Sequence, residues 1–261
     1  MNQSWLDQET ARHYQIFTEQ TRMYQELSQI MIDLAQLQPS MQVLDLGCGT
    51  GVTSQLALKQ LGSTGQIQAL DISEPMLEIA RQNISSSQVT FLHVDVTQCA
   101  DYIKKPVDRI LCNSVFWQFR HKSQLLHHLR KIIAQDGRFI FNVPEPYFIF
   151  RDVPRSDKVG ILFKQLAAER HGVGQQDQRT MAVFLEQHGF EIVTTKEVTR
   201  TRTTQENMLF LQIPVTTAWM EPPLDYKTRM TLLAEAEQMA KPDKPAKRRW
   251  IYFVVQPIAI P

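Results

Sequence analysis

The chain has 261 residues, of which 43% are hydrophobic and 21% charged, and its formal net charge at neutral pH is +1. This length allows one large domain or two small ones, with a core large enough to fold without disulfides or metals. The near-neutral charge removes the general electrostatic argument for binding to nucleic acid or to membranes.

The three cysteines, Cys48, Cys99 and Cys112, form no CxxC or Cys/His pattern, which argues against a metal site and a disulfide framework. Residues 1–20 are polar and charged, without the apolar segment of a secretory signal. No apolar run approaches the roughly 20 residues of a membrane helix. We therefore expect a cytoplasmic protein that binds neither membrane nor metal.

In the first half of the chain, segments with the hydrophobic spacing of a helix alternate with short apolar segments typical of strands. Apolar residues spaced three, four and seven apart predict a helix over residues 10–38, which Pro39 ends. Five strands are predicted after it, at 41–46, 66–70, 89–94, 107–112 and 138–143. Helical patterns lie between them at 52–61, 73–83 and 123–134. This alternation predicts a parallel sheet covered on both faces.

The alternation of strand and helix patterns stops after Val143, where prolines and aromatic residues become frequent. We interpret residues 144–175 and 200–246 as insertions that cover one edge of the sheet. Within them the patterns predict a helix at 158–170, two helical pieces in 205–240 and a basic loop at 241–249. A helix at 179–188 and strands at 190–198 and 250–255 complete the prediction.

These patterns predict a single domain over residues 1–261 with a doubly wound α/β architecture. Residues 1–40 are predicted to form an N-terminal helical cover and residues 41–143 the ligand-binding core. Residues 176–199 and 247–261 supply the closing helix and strands.

A glycine-rich turn follows the first predicted strand. Gly47, Gly49 and Gly51 permit a tight turn and a close approach of the backbone to a ligand, and the next helix directs free N–H groups to the same place. Asp71 ends the second strand, 24 positions after Gly47. Its carboxylate can accept hydrogen bonds from both ribose hydroxyls of a nucleoside.

The glycine spacing argues against a dinucleotide. The dinucleotide fingerprint G-x-G-x-x-G/A needs a small residue where this chain has Val52, whose branched side chain would crowd a pyrophosphate. A nicotinamide-dependent enzyme is therefore disfavoured. The observed spacing is G-x-G-x-G, preceded by Asp45.

The segment from Asp45 to Gly51 resembles the first motif of the class I S-adenosylmethionine (SAM) dependent methyltransferases. The resemblance is good over residues 41–143 and looser for the last two strands. It implies a mostly parallel, seven-stranded sheet with a C-terminal antiparallel hairpin, and SAM as methyl donor. The residues that it predicts to hold the cofactor are Asp45, Gly47, Cys48, Gly49, Gly51, Asp71, Ile72, Asp95, Val96, Asn113 and Ser114. Tyr14 and Tyr24 join this set because an N-terminal helix often closes over the cofactor in relatives.

Methyl transfer from a sulfonium is a direct displacement, which needs a dry, aligned site and requires a base only if the acceptor must lose a proton. Aromatic side chains that follow the fourth and fifth strands, or lie in the second insertion, suit a pocket for a partly apolar ligand. The predicted acceptor-binding residues are Phe116, Trp117, Tyr147, Phe148 and Trp219. Glu145 and His171 are the candidate bases.

The sequence after the fourth strand, Cys-Asn-Ser-Val-Phe-Trp, lacks the Asn/Asp-Pro-Pro-aromatic motif of enzymes that methylate nucleobase amines or glutamine amides. We therefore expect methylation of an O or N atom of a small, partly apolar metabolite, without a nucleic acid partner. Two alternatives stay open. The basic run 244–249 with Arg200 and Arg202 would suit an RNA or protein methyltransferase, and an intact cofactor loop would also suit a non-catalytic SAM-binding protein. A homodimer through the N-terminal helix or an insertion also stays open.

Overall fold

The structure is a computed structural model that describes residues 4–145, 147–149, 176–218, 223–239 and 246–259. The predicted helix at 158–170, and the candidate residues His171 and Trp219, lie outside these ranges.

A seven-stranded sheet forms the centre of the molecule, in the order β3-β2-β1-β4-β5-β9-β8. Strands β1 to β5 run parallel, and β9 is antiparallel to both of its neighbours. The seven strands are β1 (Gln42–Leu46), β2 (Gln66–Asp71), β3 (Val89–His93), β4 (Val107–Cys112), β5 (Ile133–Pro144), β8 (Phe190–Arg202) and β9 (Ala246–Pro257). A separate two-stranded pair consists of β6 (Phe148–Ile149) and β7 (Gln176–Asp177).

Helices cover both faces of the sheet. They are α1 (Gln8–Gln20), α2 (Met23–Ala35), α3 (Val52–Leu58), α4 (Glu74–Asn83), α5 (Cys99–Tyr102), α6 (Lys122–Ile132), α7 (Gln178–Gln187), α8 (Thr204–Leu211) and α9 (Tyr226–Met239). Most residues of the central strands β1 and β4 are apolar and buried on both faces of the sheet, as is usual in parallel sheets. Two apolar clusters, one on each face, form the core.

The predicted architecture is confirmed: a mixed seven-stranded sheet with an antiparallel element at its C-terminal end and helices around it. In the described part of the chain, no helix is both long and apolar enough to cross a membrane.

The single helix predicted over residues 10–38 is wrong, because the chain forms two helices there. α1 ends where Thr21 adopts an extended backbone (φ −126°, ψ 157°) and its N–H closes the last turn on the carbonyl of Phe17. The apolar period continues through the break, since Phe17 before it and Met23 and Leu27 after it are all buried in the same cluster. The period therefore predicted the buried face but not the bend.

The C-terminal hairpin is longer than predicted. β8 continues to Arg202 and β9 begins at Ala246, so the predicted basic loop is partly strand. β-Branched threonines alternate along this part of β8, which favours extended backbone. Pro144, the last residue of β5, pairs with Trp250, so the hairpin continues four residues beyond the carboxyl edge of β5. At 3.3 Å per residue this extension is about 13 Å long.

Candidate active site

The candidate site lies where the strand order reverses, at the carboxyl ends of β1 and β4. Ligands bind at this position in open α/β sheets. Gly47, Gly49 and Gly51 all have positive φ values, of 66°, 54° and 89°. A methyl group on Gly47 would lie 2.8 Å from Cγ1 of Val115, so this position excludes a side chain by space as well as by conformation.

Asp71 fixes the glycine loop from the end of β2. Its Oδ2 accepts a hydrogen bond from the backbone N–H of Gly49 at 2.8 Å, and its Oδ1 accepts one from that of Ser73 at 2.9 Å. Each carboxylate oxygen keeps a lone pair for a further donor. Burial raises the pKa of Asp71, against the effect of these backbone hydrogen bonds.

Asp45 is a second buried carboxyl group at the same loop. Its Oδ2 accepts a hydrogen bond from the Ser54 hydroxyl at 2.6 Å, which ties the end of β1 to the first turn of α3. Burial raises its pKa to about 7, and the negative charge of Asp71 contributes in the same direction. The loop thus presents two crowded acidic groups that a cationic ligand would stabilise.

The end of β3 supplies the next two predicted cofactor residues. Oδ1 of Asp95 accepts hydrogen bonds from the Thr97 backbone N–H at 2.8 Å and from its hydroxyl at 2.7 Å, and so caps a short 3₁₀ turn. Val96 in this turn is buried, whereas Ile72 beyond β2 is 50% exposed. Ile72 therefore offers apolar surface beside the loop.

A buried polar network occupies the ends of β4 and β5. The Asn113 side-chain amide donates to the Ser28 hydroxyl at 2.9 Å and to the Thr53 hydroxyl at 3.3 Å. The Asn142 amide donates to Oδ1 of Asn113 at 2.8 Å, and Asn142 accepts from the backbone N–H of Ser114 at 2.6 Å. Ser114 has a left-handed backbone with φ 59°. This network fastens α2 to the sheet and to α3.

The N-terminal segment covers the glycine loop. A methyl group on Gly49 would lie 3.7 Å from the Tyr14 ring, and the Tyr14 and Tyr24 ring centroids are 5.2 Å apart. Trp5 packs edge-on against Tyr14, and its carbonyl accepts a hydrogen bond from the Ser73 hydroxyl at 2.8 Å. Burial raises the pKa of both tyrosines, so both phenols stay protonated at neutral pH.

This arrangement fits SAM as a ligand. The cofactor carries a sulfonium and an ammonium group, and the buried carboxyl groups of Asp45 and Asp71 lie at the loop that would receive it. The positive φ values of the loop leave backbone N–H groups and open space where side chains would otherwise stand.

Comparison with known proteins agrees with the site. Residues 37–170, just over half of the chain, match a family model described as "Methyltransferase domain". The chain belongs to the class I SAM-dependent methyltransferases. This family membership confirms the resemblance and makes SAM the expected methyl donor.

Curated relatives of this methyltransferase are distant. It is 27% identical over 161 residues to the malonyl-[acyl-carrier protein] O-methyltransferase of Paenibacillus sp. (strain JDR-2), a match that covers 59% of this chain and 51% of the relative. It is also 29% identical over 120 residues to the ribosomal RNA large subunit methyltransferase E of Nitrosopumilus maritimus (strain SCM1), with 40% and 58% covered. The chain spans about half the length of the curated relatives it matches.

Among solved structures, the methyltransferase is similar to a SAM-dependent methyltransferase from Geobacter sulfurreducens in complex with S-adenosylhomocysteine. The TM-score is 0.59 at 15% identity, and the match covers 94% of this chain and 98% of that one. A similar protein from Thiobacillus denitrificans, also in complex with S-adenosylhomocysteine, gives a TM-score of 0.57 at 15% identity, with 89% and 91% covered. These similarities establish the fold.

The structure separates the predicted acceptor-binding aromatics into two groups. Trp117 and Tyr147 stack with centroids 5.2 Å apart, and Tyr147 is 48% exposed, so this pair can meet a ligand. Phe116 is fully buried against Phe141, and Phe148 is buried against Phe253. The prediction for Phe116 and Phe148 therefore needs correction, since both side chains pack the core.

Of the two candidate bases, the structure describes only Glu145. Glu145 accepts hydrogen bonds from Nε and Nη2 of Arg249, the first at 3.0 Å, and its backbone N–H bonds to the Arg249 carbonyl. This ion pair gives Glu145 a structural partner on β9, which makes it a poor candidate for a free base. His171 lies outside the described residues.

Several residues at the site were not predicted from the sequence. Asn142 had a detectable signal, because it is a single polar residue in the apolar run of β5 and is fully buried. Ser28, Thr53 and Trp5 had none, since each joins the site through a long-range hydrogen bond that local patterns do not encode.

Proposed function

We propose that this methyltransferase transfers the methyl group of SAM to an oxygen or nitrogen atom of a small, partly apolar metabolite by direct displacement. The observation that carries this proposal is the aromatic cover at the glycine loop, in which the Tyr14 ring lies beside Gly49 and packs against Trp5 and Tyr24. A dry site that aligns two reactants is the main requirement of such a transfer.

Each proposed role rests on a contact of this chain. Asp71 would receive the ribose hydroxyls on the oxygens that already hold Gly49 and Ser73. Asp45 would place negative charge near the cationic end of the cofactor. The Tyr14 ring would exclude water from the cofactor at Gly49, and Trp117 with Tyr147 would contact the acceptor.

Two of the basic residues that suggested an RNA substrate are paired with carboxylates. Arg200 donates to Glu26 at 2.7 Å and to Glu206 at 2.6 Å, and Arg249 is paired with Glu145. Phosphate binding needs cationic side chains that are available to the ligand. These pairs reduce the positive charge that an RNA could meet at Arg200 and Arg249, while Lys247 and Arg248 stay exposed and one relative is a ribosomal RNA methyltransferase.

The names of the relatives favour oxygen as the acceptor atom. Several are malonyl-[acyl-carrier protein] O-methyltransferases, which also raises the proposal that the acceptor here is an acyl group on a carrier. A non-catalytic SAM-binding role would instead leave the cofactor unused.

Isothermal titration with SAM and S-adenosylhomocysteine tests the cofactor part of the proposal. We expect micromolar binding by the wild type and its loss in Asp71→Ala, because this change removes both the ribose acceptor and the support of the Gly49 N–H. Asp136→Ala is the matched control, since it removes an exposed carboxylate near the start of β5. Absence of SAM binding by the wild type would contradict the proposal. Binding without methyl transfer to any metabolite of a broad panel would favour the non-catalytic role.

A further inference from the structure

Arg202 is a buried guanidinium at the tip of the β8–β9 hairpin. It is 8% exposed, and its Cζ stacks 4.4 Å from the centroid of the Phe210 ring. Its Nη2 donates to the sulfur of Met23 at 3.2 Å, a weak acceptor, and its Nη1 reaches the Asn207 amide oxygen only at 3.4 Å. Within the described residues, no acceptor lies within hydrogen-bonding distance of its buried Nε.

Two other buried arginines make the hydrogen bonds that are typical of a structural role. Arg109 donates to the carbonyls of Ala35 at 2.6 Å and Asp108 at 2.7 Å. Arg229 donates to the Pro214 carbonyl at 2.9 Å and the Thr217 hydroxyl at 2.8 Å. Both donate to oxygen acceptors at 2.9 Å or less, whereas Arg202 donates to a sulfur atom at 3.2 Å and to an amide oxygen at 3.4 Å.

The nearby acidic side chain is already engaged. Both oxygens of Glu206 accept from Arg200, at 2.6 and 2.9 Å, and Oε2 also accepts from the backbone N–H of Thr203. Glu206 is thus held by the capping box of α8. Burial lowers the pKa of Arg202, and the positive charges of Arg248 and Arg200 act in the same direction, whereas Tyr24 and Glu206 oppose the shift. Burying a cation without a carboxylate partner lowers the stability of the folded protein. A ligand carboxylate that pairs with the cation would offset this cost.

The position of Arg202 connects it to the cofactor loop. Phe210, on which it stacks, contacts Phe17, and Phe17 contacts Tyr24, with centroid separations of 5.6 and 5.8 Å. Tyr24 packs against Tyr14, and Tyr14 lies over Gly49. The guanidinium therefore stands at the far end of the aromatic cover, on the hairpin extension above the carboxyl edge of the sheet.

We propose that Arg202 anchors the methyl acceptor by pairing with a carboxylate that the acceptor carries. This inference rests on the proposed function and specifies its substrate class as a carboxylic acid with an apolar body. The stacked guanidinium keeps the N–H groups of its edge in plane for a carboxylate, which is the geometry that arginine offers and lysine lacks. The Tyr24 phenol, protonated at neutral pH, would be a second donor to the same group.

The test compares matched compounds that differ only in acid and primary amide: para-hydroxybenzoate with para-hydroxybenzamide, para-aminobenzoate with para-aminobenzamide, and octanoate with octanamide. The first two pairs carry a separate oxygen or nitrogen acceptor, so labelled methyl transfer from SAM gives kcat/KM for them. Octanoate and octanamide are binding probes, and titration of the S-adenosylhomocysteine complex gives Kd for all three pairs. The variants are Arg202→Met and Arg202→Lys, with Arg248→Met as the control because Arg248 is an exposed arginine on the adjacent strand.

We expect the wild type to bind or methylate acids roughly tenfold to a hundredfold better than amides, the range of a hydrogen bond to a charged group. Arg202→Met should lose this preference, Arg202→Lys should keep part of it, and Arg248→Met should keep all of it. The melting temperature of Arg202→Met should not fall, because methionine replaces a poorly paired buried charge. A purely structural arginine would instead lower the melting temperature and leave the acid-to-amide ratio unchanged.

The proposal is overturned if the S-adenosylhomocysteine complex binds none of the acids, if the wild type treats acids and amides alike, or if Arg202→Met keeps the preference. These results differ from failure of the proposed function, which would appear as absence of SAM binding by the wild type. A protein that binds SAM through Asp71 and methylates the amides equally well would keep the proposed function and reject the carboxylate anchor.

Discussion

Asp45 and Asp71 bring two carboxyl groups to one turn of the backbone, and neither has a cationic partner among the described residues. The sequence predicted both positions, since Asp71 ends β2 and Asp45 is the residue before the end of β1. It could not predict their protonation, because that depends on burial beneath the cover and on the separation of the two groups. The two carboxyl groups therefore come together, with raised pKa values, only in the folded protein.

The raised pKa of Asp45 predicts a pH dependence of stability. Its pKa rises from 3.8 in the unfolded chain to about 7 in the folded protein, so the folded state holds an extra proton between these values. The contribution of Asp45 is therefore present below about pH 4 and lost as pH rises towards 7, by about 4 kcal/mol at most. Urea unfolding of wild type and Asp45→Asn across this range checks it. Parallel pH profiles of the two proteins would contradict the assignment.

At the scale of elements, the N-terminal region consists of two helices with different attachments. α2 is held to the sheet by the hydroxyl of Ser28 and by the Tyr252 hydroxyl, which donates to the Leu27 carbonyl at 2.9 Å. α1 lies over the glycine loop through Tyr14. The sequence predicted one helix because the apolar spacing continues across Thr21 and no glycine or proline marks the break.

The cover predicts an effect on cofactor release. Removing the Tyr14 ring in Tyr14→Ala should speed dissociation of SAM by about tenfold, because the loss of a buried aromatic contact costs on the order of 1–2 kcal/mol. Tyr14→Phe is the control, since it keeps the ring over Gly49 and removes only the hydroxyl. Stopped-flow displacement of bound SAM by excess S-adenosylhomocysteine measures both rates. Equal dissociation rates for Tyr14→Ala and wild type would show that α1 does not retain the cofactor.

For the whole molecule, sequence patterns predicted the sheet well because the parallel strands alternate with helices in a fixed order. The hairpin was predicted too short, since most of β8 is an exposed edge and its polar residues resemble a loop. Sequence patterns could not separate aromatic residues of the core from those nearer the surface. Phe116 and Trp117 are neighbours in sequence, but one is buried and the other is not, and only the packing of the complete fold decides between them.

The unequal burial of the elements predicts unequal local stability. In α9 only Arg229 is buried, whereas Leu232 is 45% and Met239 82% exposed. Amides of α9 should therefore exchange with solvent through local opening, at a lower free energy than those of β1, β4 and β5, which open only with the whole domain. Hydrogen exchange read by mass spectrometry measures this order. Protection of α9 equal to that of the central strands would mean that it packs more tightly than its burial indicates.

The network around Asn113 also divides the chain into parts that can be exchanged between family members. Ser28 on α2 shares hydrogen bonds with α3 and with the end of β4, so replacing α2 would remove one partner from each of Thr53 and Asn113. α1 ends at the extended break at Thr21, which makes that residue a natural junction for a chimera. A chimera that takes α1 from another methyltransferase should therefore keep the native α2 network intact, while its retention of SAM becomes that of the α1 donor because the residue over Gly49 is exchanged.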